Sequence, residues 1–388
     1  MAVCAASTAV GGVFTQLSGE TPAHVRVWCF PWRVRQSAAM TYRVVQWTTG
    51  NVGRAALRGI DERDDLELVG LYVTNPSKAG QPASELGADR ATGVTATAAV
   101  DDIIALDADV VIHTPLPSLV YGDDPGRDVD DFCRLLASGK NVITTVGYMY
   151  PAVHGPELVA RLGAACTTGN STFHGTGANP GWFGDVLPLT MAGLSTRVDC
   201  IAVQEISNFQ HYPSPEIMFD MMNFGRTPDA FAAGAARHRH WLDGLFTEAV
   251  TMVAVGLGAG DRIDRVTSDM ETWLAEVDLN TAAGLVAAGT VAGQRWRWAA
   301  IVDGTPLVEQ ETVWRMHADA APGWPVGDWS IRIDGDPRMH ISLPHGWNRD
   351  VLGSTAAHAL NAISSVVAAA PGIATFLDLP MIVGRARR

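Results

Sequence analysis

The residues with the clearest chemical signature follow the first strand-like run of the chain, "YRVVQW". Gly50 and Gly53 occupy the second and third glycine positions of the pattern G-x-G-x-x-G, and Thr48 occupies the first. In this pattern the second glycine lets the backbone approach a diphosphate, and the third lets the helix pack closely on its strand. The helix start offers free N–H groups to the anion. The stretch, with Asn51 and Val52, therefore predicts a dinucleotide-binding turn; a structural turn of another α/β fold is the alternative.

A polar segment after the second predicted strand bears on which nicotinamide dinucleotide would bind. An NAD site usually has an acid here that binds the ribose hydroxyls, but the strand ends in "VTNPSKAG", which contains no carboxylate. Asn75, Ser77 and Lys78 offer donors and one positive charge to a 2′-phosphate. We therefore expect NADP as the cofactor and keep NAD as the alternative. Lys78 could instead be a solvated loop charge.

The ends of the later strands should complete the cofactor wall, because ligands of open α/β sheets lie at the carboxyl ends of the strands. Thr114 and Pro115 follow one apolar run, and Gly147 follows the next. Asn179, in "GTGANPGW", follows a third and could hydrogen-bond the nicotinamide or the substrate. The same Asn-Pro-Gly sequence is also typical of a local turn.

Two titratable side chains could supply the proton that accompanies hydride transfer to a carbonyl or imine. Tyr148 lies just beyond a strand end, although it could simply pack in the apolar loop "YMY". Glu205, in "AVQEISNF", lies among apolar residues, where desolvation would raise its pKa. A buried ion pair with an arginine is the alternative for Glu205. Tyr148, Glu205 and Asn179 are the predicted catalytic residues.

Other familiar chemistries are not predicted. His238 and His240 are two positions apart and would diverge on a helix, so we expect no metal site. The chain has only two lysines. Lys140, in "SGKNV", is predicted to be a surface charge at a helix end, which disfavours Schiff-base catalysis.

These residues must be positioned by strands and helices that alternate along the first half of the chain. The strands there are apolar throughout, which predicts a doubly wound parallel sheet of the Rossmann type over residues 40–181. Longer runs with period two follow, among them "TWLAEVDLNT" and "WSIRIDGDPRMHISLP". They predict a second α+β domain, built on a largely antiparallel sheet, over residues 182–350. A helix should begin the segment 351–388, with Ser354 as a possible N-cap.

Length, charge and composition limit the classes of protein to which this chain can belong. The 388 residues suffice for two domains, and the net charge of -13 argues against a nucleic acid or an anionic membrane as partner. The sequence has no apolar run of about 18 residues, so no membrane span is predicted. Five scattered cysteines without C-x-x-C predict reduced thiols in the cytoplasm. Residues 1–39 lack a basic start, so we expect a disordered or mis-assigned extension before Met40, with a transit peptide as the weaker alternative.

Several stretches together resemble a known family: "VVQWTTGNVGRAALRGI", "VTNPSKAG", "GTGANPGWFGDVLPL", "VQEISNF" and "STAAHALNAISSVVAAAPGI". They are similar to the dihydrodipicolinate-reductase-like proteins, most of all to actinobacterial members related to 2,4-diaminopentanoate dehydrogenase and to native NADP-dependent amine dehydrogenases. The resemblance runs from Met40 to the C-terminus. It implies a Rossmann domain, an α+β second domain, a C-terminal helix that returns to the first domain, NAD(P)H and often a homodimer.

Two segments differ from those relatives. Dihydrodipicolinate reductases bind the substrate carboxylates with a lysine-containing segment, and the corresponding "QEISNFQHYPSPEI" has no lysine. Amine-forming relatives carry a glutamate just after the "NVITT" strand, whereas residues 146–151 contain no acid. We expect an NAD(P)H-dependent oxidoreductase acting on a small carbonyl or imine compound. The two differences leave open the alternative of an NADP-binding protein that has lost turnover and serves as a sensor or in a structural role.

Overall fold

The computed structural model describes residues 40–344, 347 and 350–386. The expected extension before Met40 therefore lies outside the described residues. Two β-sheets organise the described chain, one before residue 176 and one after residue 196, with the last short strand returning to the first sheet.

The first sheet is built from strands that alternate with helices. Its first six strands are β1 Tyr42–Trp47, β2 Leu66–Tyr72, β3 Ala96–Thr97, β4 Val110–His113, β5 Asn141–Thr144 and β6 Thr172–Gly175. The helices between them are α1 Asn51–Asp61, α2 Ala83–Leu86, α3 Val100–Ala105, α4 Arg127–Ala137 and α5 Pro156–Gly169. All neighbouring strands of this sheet pair in parallel.

Apolar residues on both faces explain why this sheet is covered on both sides. Val44 and Val45 are successive residues of β1 that point to opposite faces, and both are wholly buried. Val44 packs in the cluster of α1, which presents Leu57, and Val45 packs in the cluster of α4, which presents Phe132. The predicted Rossmann sheet is confirmed.

The second sheet follows the helix α6 Val186–Ala192 in the chain. The long helix α7 connects its first two strands. The elements are β7 Arg197–Asn208, α7 Pro228–Gly256, β8 Ile263–Leu274, β9 Leu279–Thr281, β10 Gly284–Val286, β11 Val291–Val302, β12 Thr305–Arg315, β13 Trp329–Asp336 and β14 Met339–Leu343. Six of the strands lie in the order β14-β13-β7-β12-β11-β8, and β9 pairs only with β10. The pair β7–β12 is parallel and the other four pairs are antiparallel, so the predicted largely antiparallel second domain is confirmed.

Two of the predicted period-two runs each contain two strands. "WSIRIDGDPRMHISLP" folds back on itself as the pair β13–β14, with Pro337 between the strands. "TWLAEVDLNT" begins in β8 and ends in β9. Proline lacks an N–H and cannot donate to the ladder, so the turn at Pro337 interrupts the first run.

Helix α7 covers the inner face of the second sheet and explains the period-two pattern. Phe246 of α7 stacks on Trp298 of β11 with ring centroids 4.0 Å apart. The alternate residues of the strands point to the outer face, where Arg295 pairs with Glu311. The helix begins at Pro228, and the side chain of Thr227 caps it by accepting a hydrogen bond from the Ala230 N–H.

The chain then returns to the first sheet through α8 Val351–Val367 and β15 Gly372–Ile373. The completed sheet has the strand order β15-β6-β5-β4-β1-β2-β3. Helix α8 packs on α1, and Leu360 of α8 leaves so little room that a Cβ on Gly59 would come within 2.5 Å of it. The domain boundaries at residues 181 and 350 stay predictions.

The cap of α8 differs from the expected one. The N-cap is Asp350, whose side chain accepts a hydrogen bond from the Gly353 N–H, and Ser354 lies within the first turn. Among the described residues, none of the helices is both long and apolar enough for a membrane span.

Candidate active site

The glycine turn lies between β1 and α1, at the carboxyl edge of the parallel sheet. A Cβ on Gly53 would lie 2.2 Å from the Thr48 carbonyl oxygen, which no real side chain tolerates, whereas a Cβ on Gly50 would meet nothing within 4 Å. Gly50 caps α1 without any side-chain hydrogen bond. The first N–H groups of the helix, at Asn51 and Val52, therefore receive no side-chain cap from Gly50, and the turn fits the diphosphate of a dinucleotide.

The segment after β2 lies against this turn. The Lys78 ammonium donates to the Thr49 hydroxyl over 3.1 Å, which places the only lysine of this loop next to Gly50. The Asn75 side-chain oxygen accepts the Ser77 N–H over 3.0 Å, and both residues remain exposed. Lys78 thus lies beside the turn, and Asn75 and Ser77 lie exposed in the same loop.

Thr114 and Pro115 follow β4, the neighbour of β1. The Thr114 hydroxyl points inward, where it accepts a hydrogen bond from the Gln46 amide over 2.8 Å and donates to the Trp47 carbonyl over 3.1 Å. Pro115 is half-buried. The Thr114 N–H also donates to the Trp47 carbonyl, over 3.2 Å, so Thr114 can offer the cofactor its backbone carbonyl but not its N–H or its hydroxyl.

Asn179 and Glu205 form one hydrogen-bonded group. The Asn179 amide donates to Glu205 over 2.6 Å, and the Trp314 indole donates to the other carboxylate oxygen over 2.8 Å. Ser207 adds a hydroxyl donor. Burial raises the pKa of Glu205, while the hydrogen bonds from Trp314, Asn179 and Ser207 act to lower it. Among the described residues no arginine lies within ion-pair distance of Glu205, so the alternative of an arginine pair is wrong.

Tyr148 lies in the loop after β5. Its backbone has a φ of 62°, and its ring packs edge-on against Phe132 with centroids 5.5 Å apart. Burial raises the pKa of its hydroxyl, and the charges of Asp128 and Glu248 raise it further. Within the described residues no hydrogen bond joins Tyr148 to Asn179 or Glu205, so the predicted catalytic residues form two groups.

Glu248, which α7 brings to the loop after β5, was not among the predicted site residues. Its carboxylate accepts the N–H of Tyr148 over 3.1 Å and the N–H of Tyr150 over 2.9 Å, and it lies 2.6 Å from His154 Nε2. A Cβ on Gly147 would be 3.9 Å from Glu248 Oε1. The loop that contains no acid in sequence thus has a carboxylate in space. A signal exists, because Glu248 is the only charged residue in the run "LFTEAVTMVAVG".

A cavity of about 280 Å³ lies between the first sheet and α7, and its lining includes Gly147, Tyr148, His154 and Glu248. Its apolar wall consists of Pro117, Leu119, Val146, Val153, Trp241 and Leu245. Polar side chains converge on it from several elements, namely Asp128, Tyr148, His154, His240, Asp243 and Glu248. The volume and the mixed lining are typical of a pocket for a small molecule.

The remaining candidates have structural positions. Lys140 is only 2% exposed, and its ammonium donates to the Ile104 carbonyl over 2.8 Å and to Ser138. The prediction of a surface charge is therefore wrong, because the ammonium replaces its hydration with these hydrogen bonds and burial lowers its pKa. His238 is buried beside Trp241. Among the described residues no group of three or more potential ligands is placed to hold a metal ion.

Comparisons with known proteins agree with this architecture. The family described as 2,4-diaminopentanoate dehydrogenase C-terminal domain matches residues 183–386. An amine dehydrogenase from Streptomyces virginiae is 33% identical over 361 residues, which cover 89% of this chain and 98% of that protein. The 2,4-diaminopentanoate dehydrogenase of Acetoanaerobium sticklandii is 27% identical over 289 residues, which cover 73% of this chain and 77% of that protein.

A solved structure extends the likeness to the fold. The amine dehydrogenase from Mycobacterium smegmatis superposes with a TM-score of 0.70 at 23% identity, over 89% of this chain and 97% of that one. The parallel sheet, the glycine turn and these relatives define an NAD(P)-dependent oxidoreductase. Within this class, the chain belongs to the family of the 2,4-diaminopentanoate and amine dehydrogenases. The predicted family and the predicted oxidoreductase function are confirmed.

Proposed function

We propose that this protein is an NADPH-dependent amine dehydrogenase, which condenses a small ketone with ammonia, with loss of water, and reduces the resulting imine to a primary amine with a hydride from NADPH and a proton; it also catalyses the reverse reaction. The observation that carries the proposal is the Glu248 carboxylate, which lies beside Gly147 at the end of β5 and lines the cavity. The relative from Streptomyces virginiae, named amine dehydrogenase, supports the choice of substrate class.

Glu248 is the residue that would hold ammonia. Hydrogen bonds from the N–H groups of Tyr148 and Tyr150 fix the carboxylate, and it is 2% exposed. A fixed carboxylate can accept an N–H of ammonia and orient its lone pair toward a carbonyl carbon in the same cavity. His154, 2.6 Å away, connects this group to solvent because its own side chain is 30% exposed.

The other predicted residues have separate tasks in this proposal. The dinucleotide, when bound, supplies the hydride. Asn179 Oδ1 is buried and has no partner among the described residues, so it can accept a hydrogen bond from the nicotinamide amide or from the substrate. Tyr148 in the cavity, or Glu205 behind Asn179, would provide the proton. The apolar wall favours a ketone with short aliphatic substituents.

Oxidation of NADPH by purified protein tests the reaction. A panel of small ketones is offered with and without ammonium, and the products are identified by mass spectrometry. We expect NADPH oxidation that depends on ammonium and yields the amine. Ketone reduction at the same rate without ammonium, yielding an alcohol, would contradict amine formation. Tight NADPH binding without turnover of any ketone would favour the alternative of a protein that has lost catalysis.

Glu248→Gln tests the assigned residue and preserves its shape. We expect kcat/KM for ammonia to fall by about 10²- to 10⁴-fold, the range of a lost acid–base group, while the Kd for NADPH stays unchanged. Glu157→Gln is the matched control, because Glu157 is an exposed residue in the first turn of α5. Equal activity of the two variants would remove Glu248 from the mechanism.

The preference for NADPH rests on Lys78. We infer that its ammonium, held near the turn by Thr49, binds the 2′-phosphate together with Asn75 and Ser77. Lys78→Ala should weaken NADPH binding by about 10- to 100-fold, the value of a charged hydrogen bond, and leave NADH binding almost unchanged. Lys140→Ala, at the only other lysine, should lower stability without changing the ratio of the two affinities. An equal loss for both nucleotides would refute the 2′-phosphate site.

We propose a homodimer in which the outer face of the second sheet is the contact surface. Charges of both signs pair there, such as Arg297 with Asp269 and Glu271, and a groove of about 770 Å³ crosses the face. Such a self-complementary pattern suits a two-fold contact. Light scattering should give the mass of two chains for the wild type and of one chain for Arg297→Glu.

A cytoplasmic location is part of the same proposal. Cys133, Cys166 and Cys200 are free thiols in the described part of the chain. Reduced thiols are typical of proteins in the cytoplasm. Fractionation of cells that produce the protein should recover it with cytoplasmic markers, and recovery with secreted proteins would contradict this location.

A further inference from the structure

Gln46 is a wholly buried polar residue of β1 to which the proposed chemistry assigns no task. Its amide nitrogen lies 2.9 Å from the Thr48 carbonyl, 3.1 Å from the Trp47 carbonyl and 2.8 Å from the Thr114 hydroxyl. Both N–H groups of the amide are therefore used within the ends of β1 and β4. Burial of an amide is costly unless its polar atoms are paired, and the Gln46 side-chain oxygen is buried without a partner among the described residues. The position of Gln46 therefore calls for a reason.

The backbone of Thr48 supplies that reason. Thr48 has a φ of 75°, in the left-handed region that β-branched residues rarely adopt. Residues in such conformations persist only where their surroundings hold them. Thr48 occupies the position of the glycine turn at which glycine normally makes the tight bend. The chain therefore keeps a strained residue where an unstrained one is usual.

The Thr48 carbonyl lies against the first turn of α1. A Cβ on Gly53 would lie 2.2 Å from the Thr48 oxygen and 3.1 Å from the Gln46 amide nitrogen. The Thr48 carbonyl therefore contacts both the Gln46 amide and the first turn of α1. A displacement of this carbonyl would shift the N–H groups that face the diphosphate.

The hydrogen bond to Thr114 extends the effect across the sheet. The order β5-β4-β1-β2 places β4 and β1 side by side at the point where the direction of the strand order reverses. Open α/β sheets bind their ligands in the crevice at this point. Gln46 therefore ties together the two loops that form the walls of the crevice.

We propose that Gln46 is a positioning residue of the dinucleotide site: its amide holds Thr48 in the left-handed conformation and thereby sets the N–H groups of α1 for the diphosphate. The inference rests on the cofactor site proposed above. It explains why a threonine can replace the first glycine of the turn, because the amide supplies the restraint that makes this conformation persist.

A double-mutant cycle with Gln46→Met and Thr48→Gly tests the proposal. Gln46→Met should raise the Kd for NADPH, measured by fluorescence titration, by about tenfold, or 1.4 kcal/mol. Thr48→Gly should change it little, because glycine adopts this φ without strain. On the Thr48→Gly background, Gln46→Met should change the Kd by less than about twofold, since the turn no longer needs the restraint.

The matched control is Gln294→Met in β11, a wholly buried glutamine of the second sheet that donates to the Met222 carbonyl. It should lower the thermal midpoint and leave the Kd for NADPH unchanged. An equal effect of Gln46→Met on both backgrounds would overturn the proposal, and so would an unchanged Kd in the single variant. If Gln46→Met alone does not fold, recovery of folded protein with normal NADPH affinity in the double variant supports the proposal, and failure of the double variant overturns it.

The same cycle measured as the thermal midpoint of the nucleotide-free protein separates this inference from the proposed function. Coupling between Gln46 and Thr48 should appear there as well, because the restraint does not need a ligand. Failure of the wild type to bind either dinucleotide would contradict the cofactor site. Independent effects of the two substitutions on the thermal midpoint would contradict the restraint itself.

Discussion

Two loops at the same edge of the parallel sheet are built in opposite ways. The loop after β1 is made by neighbours in sequence, since Thr48, Gly50 and Gly53 act through their backbone and lie within six residues. The loop after β5 depends on Glu248, which accepts the N–H groups of Tyr148 and Tyr150 from 100 and 98 residues away.

Under the proposed function, the difference separates cofactor binding from chemistry. A turn that holds a diphosphate needs main-chain N–H groups in one arrangement, and a short sequence pattern can specify it. A reacting group needs a side chain at a defined place in space, and any element that reaches the place can supply it. In this protein the first sheet contributes the turn and the second domain contributes the carboxylate.

The largest effect that tests this comparison is expected at Gly53. Gly53→Ala would place a Cβ against the Thr48 carbonyl. The backbone must then shift, so we expect a loss of about 3 kcal/mol in the free energy of unfolding and no measurable dinucleotide binding. Chemical denaturation and fluorescence titration with NADPH measure the two quantities.

Gly50→Ala is the control for this substitution. Its Cβ would meet nothing within 4 Å, so the variant should fold with wild-type stability. It should still bind NADPH more weakly, because the added methyl group would occupy the space of the diphosphate. Wild-type NADPH affinity in Gly50→Ala would show that the diphosphate does not approach this position.

Local patterns predicted the first sheet well. Apolar runs of four to seven residues between turns became β1, β2, β4, β5 and β6, because a strand covered by helices on both faces needs no polar side. The glycine turn was found for the same reason, since its determinants are consecutive. Period two likewise predicted the second sheet, in which only one face is apolar.

Contacts between distant segments were not predictable in the same way. Lys140 was expected on the surface, yet it is buried and its ammonium donates a hydrogen bond to the Ile104 carbonyl. An arginine ion pair was the alternative for Glu205, yet Trp314 and Asn179 bind its carboxylate. Neither partner follows from a local pattern, because the pairing depends on which strands and loops become neighbours in the fold.

Glu205 offers a test of a long-range contact through pH. Burial raises its pKa above the ordinary value of 4.5. The folded protein therefore holds a proton that the unfolded chain releases, so the penalty for burying the charge is absent at low pH and grows as the pH rises through the raised pKa. Glu205→Gln removes the charge, so its stability relative to the wild type should increase as the pH rises above the ordinary pKa of 4.5. Urea denaturation at several pH values measures the difference, and a relative stability that falls with rising pH would contradict the assigned direction.

The smallest effect concerns a contact that is local and was nevertheless predicted wrongly. Ser354 was the expected N-cap of α8, but Asp350 accepts the Gly353 N–H over 2.8 Å, and the Ser354 hydroxyl donates to the Asp350 carbonyl. Asp350→Ala should cost about 1 kcal/mol in the free energy of unfolding, the usual value of a lost cap. Ser354→Ala should be within about 0.5 kcal/mol of the wild type, since alanine is the better helix former and the lost hydroxyl served no free N–H group. Thermal denaturation of both variants compares them directly. A larger loss of stability for Ser354→Ala than for Asp350→Ala would show that the serine is the cap.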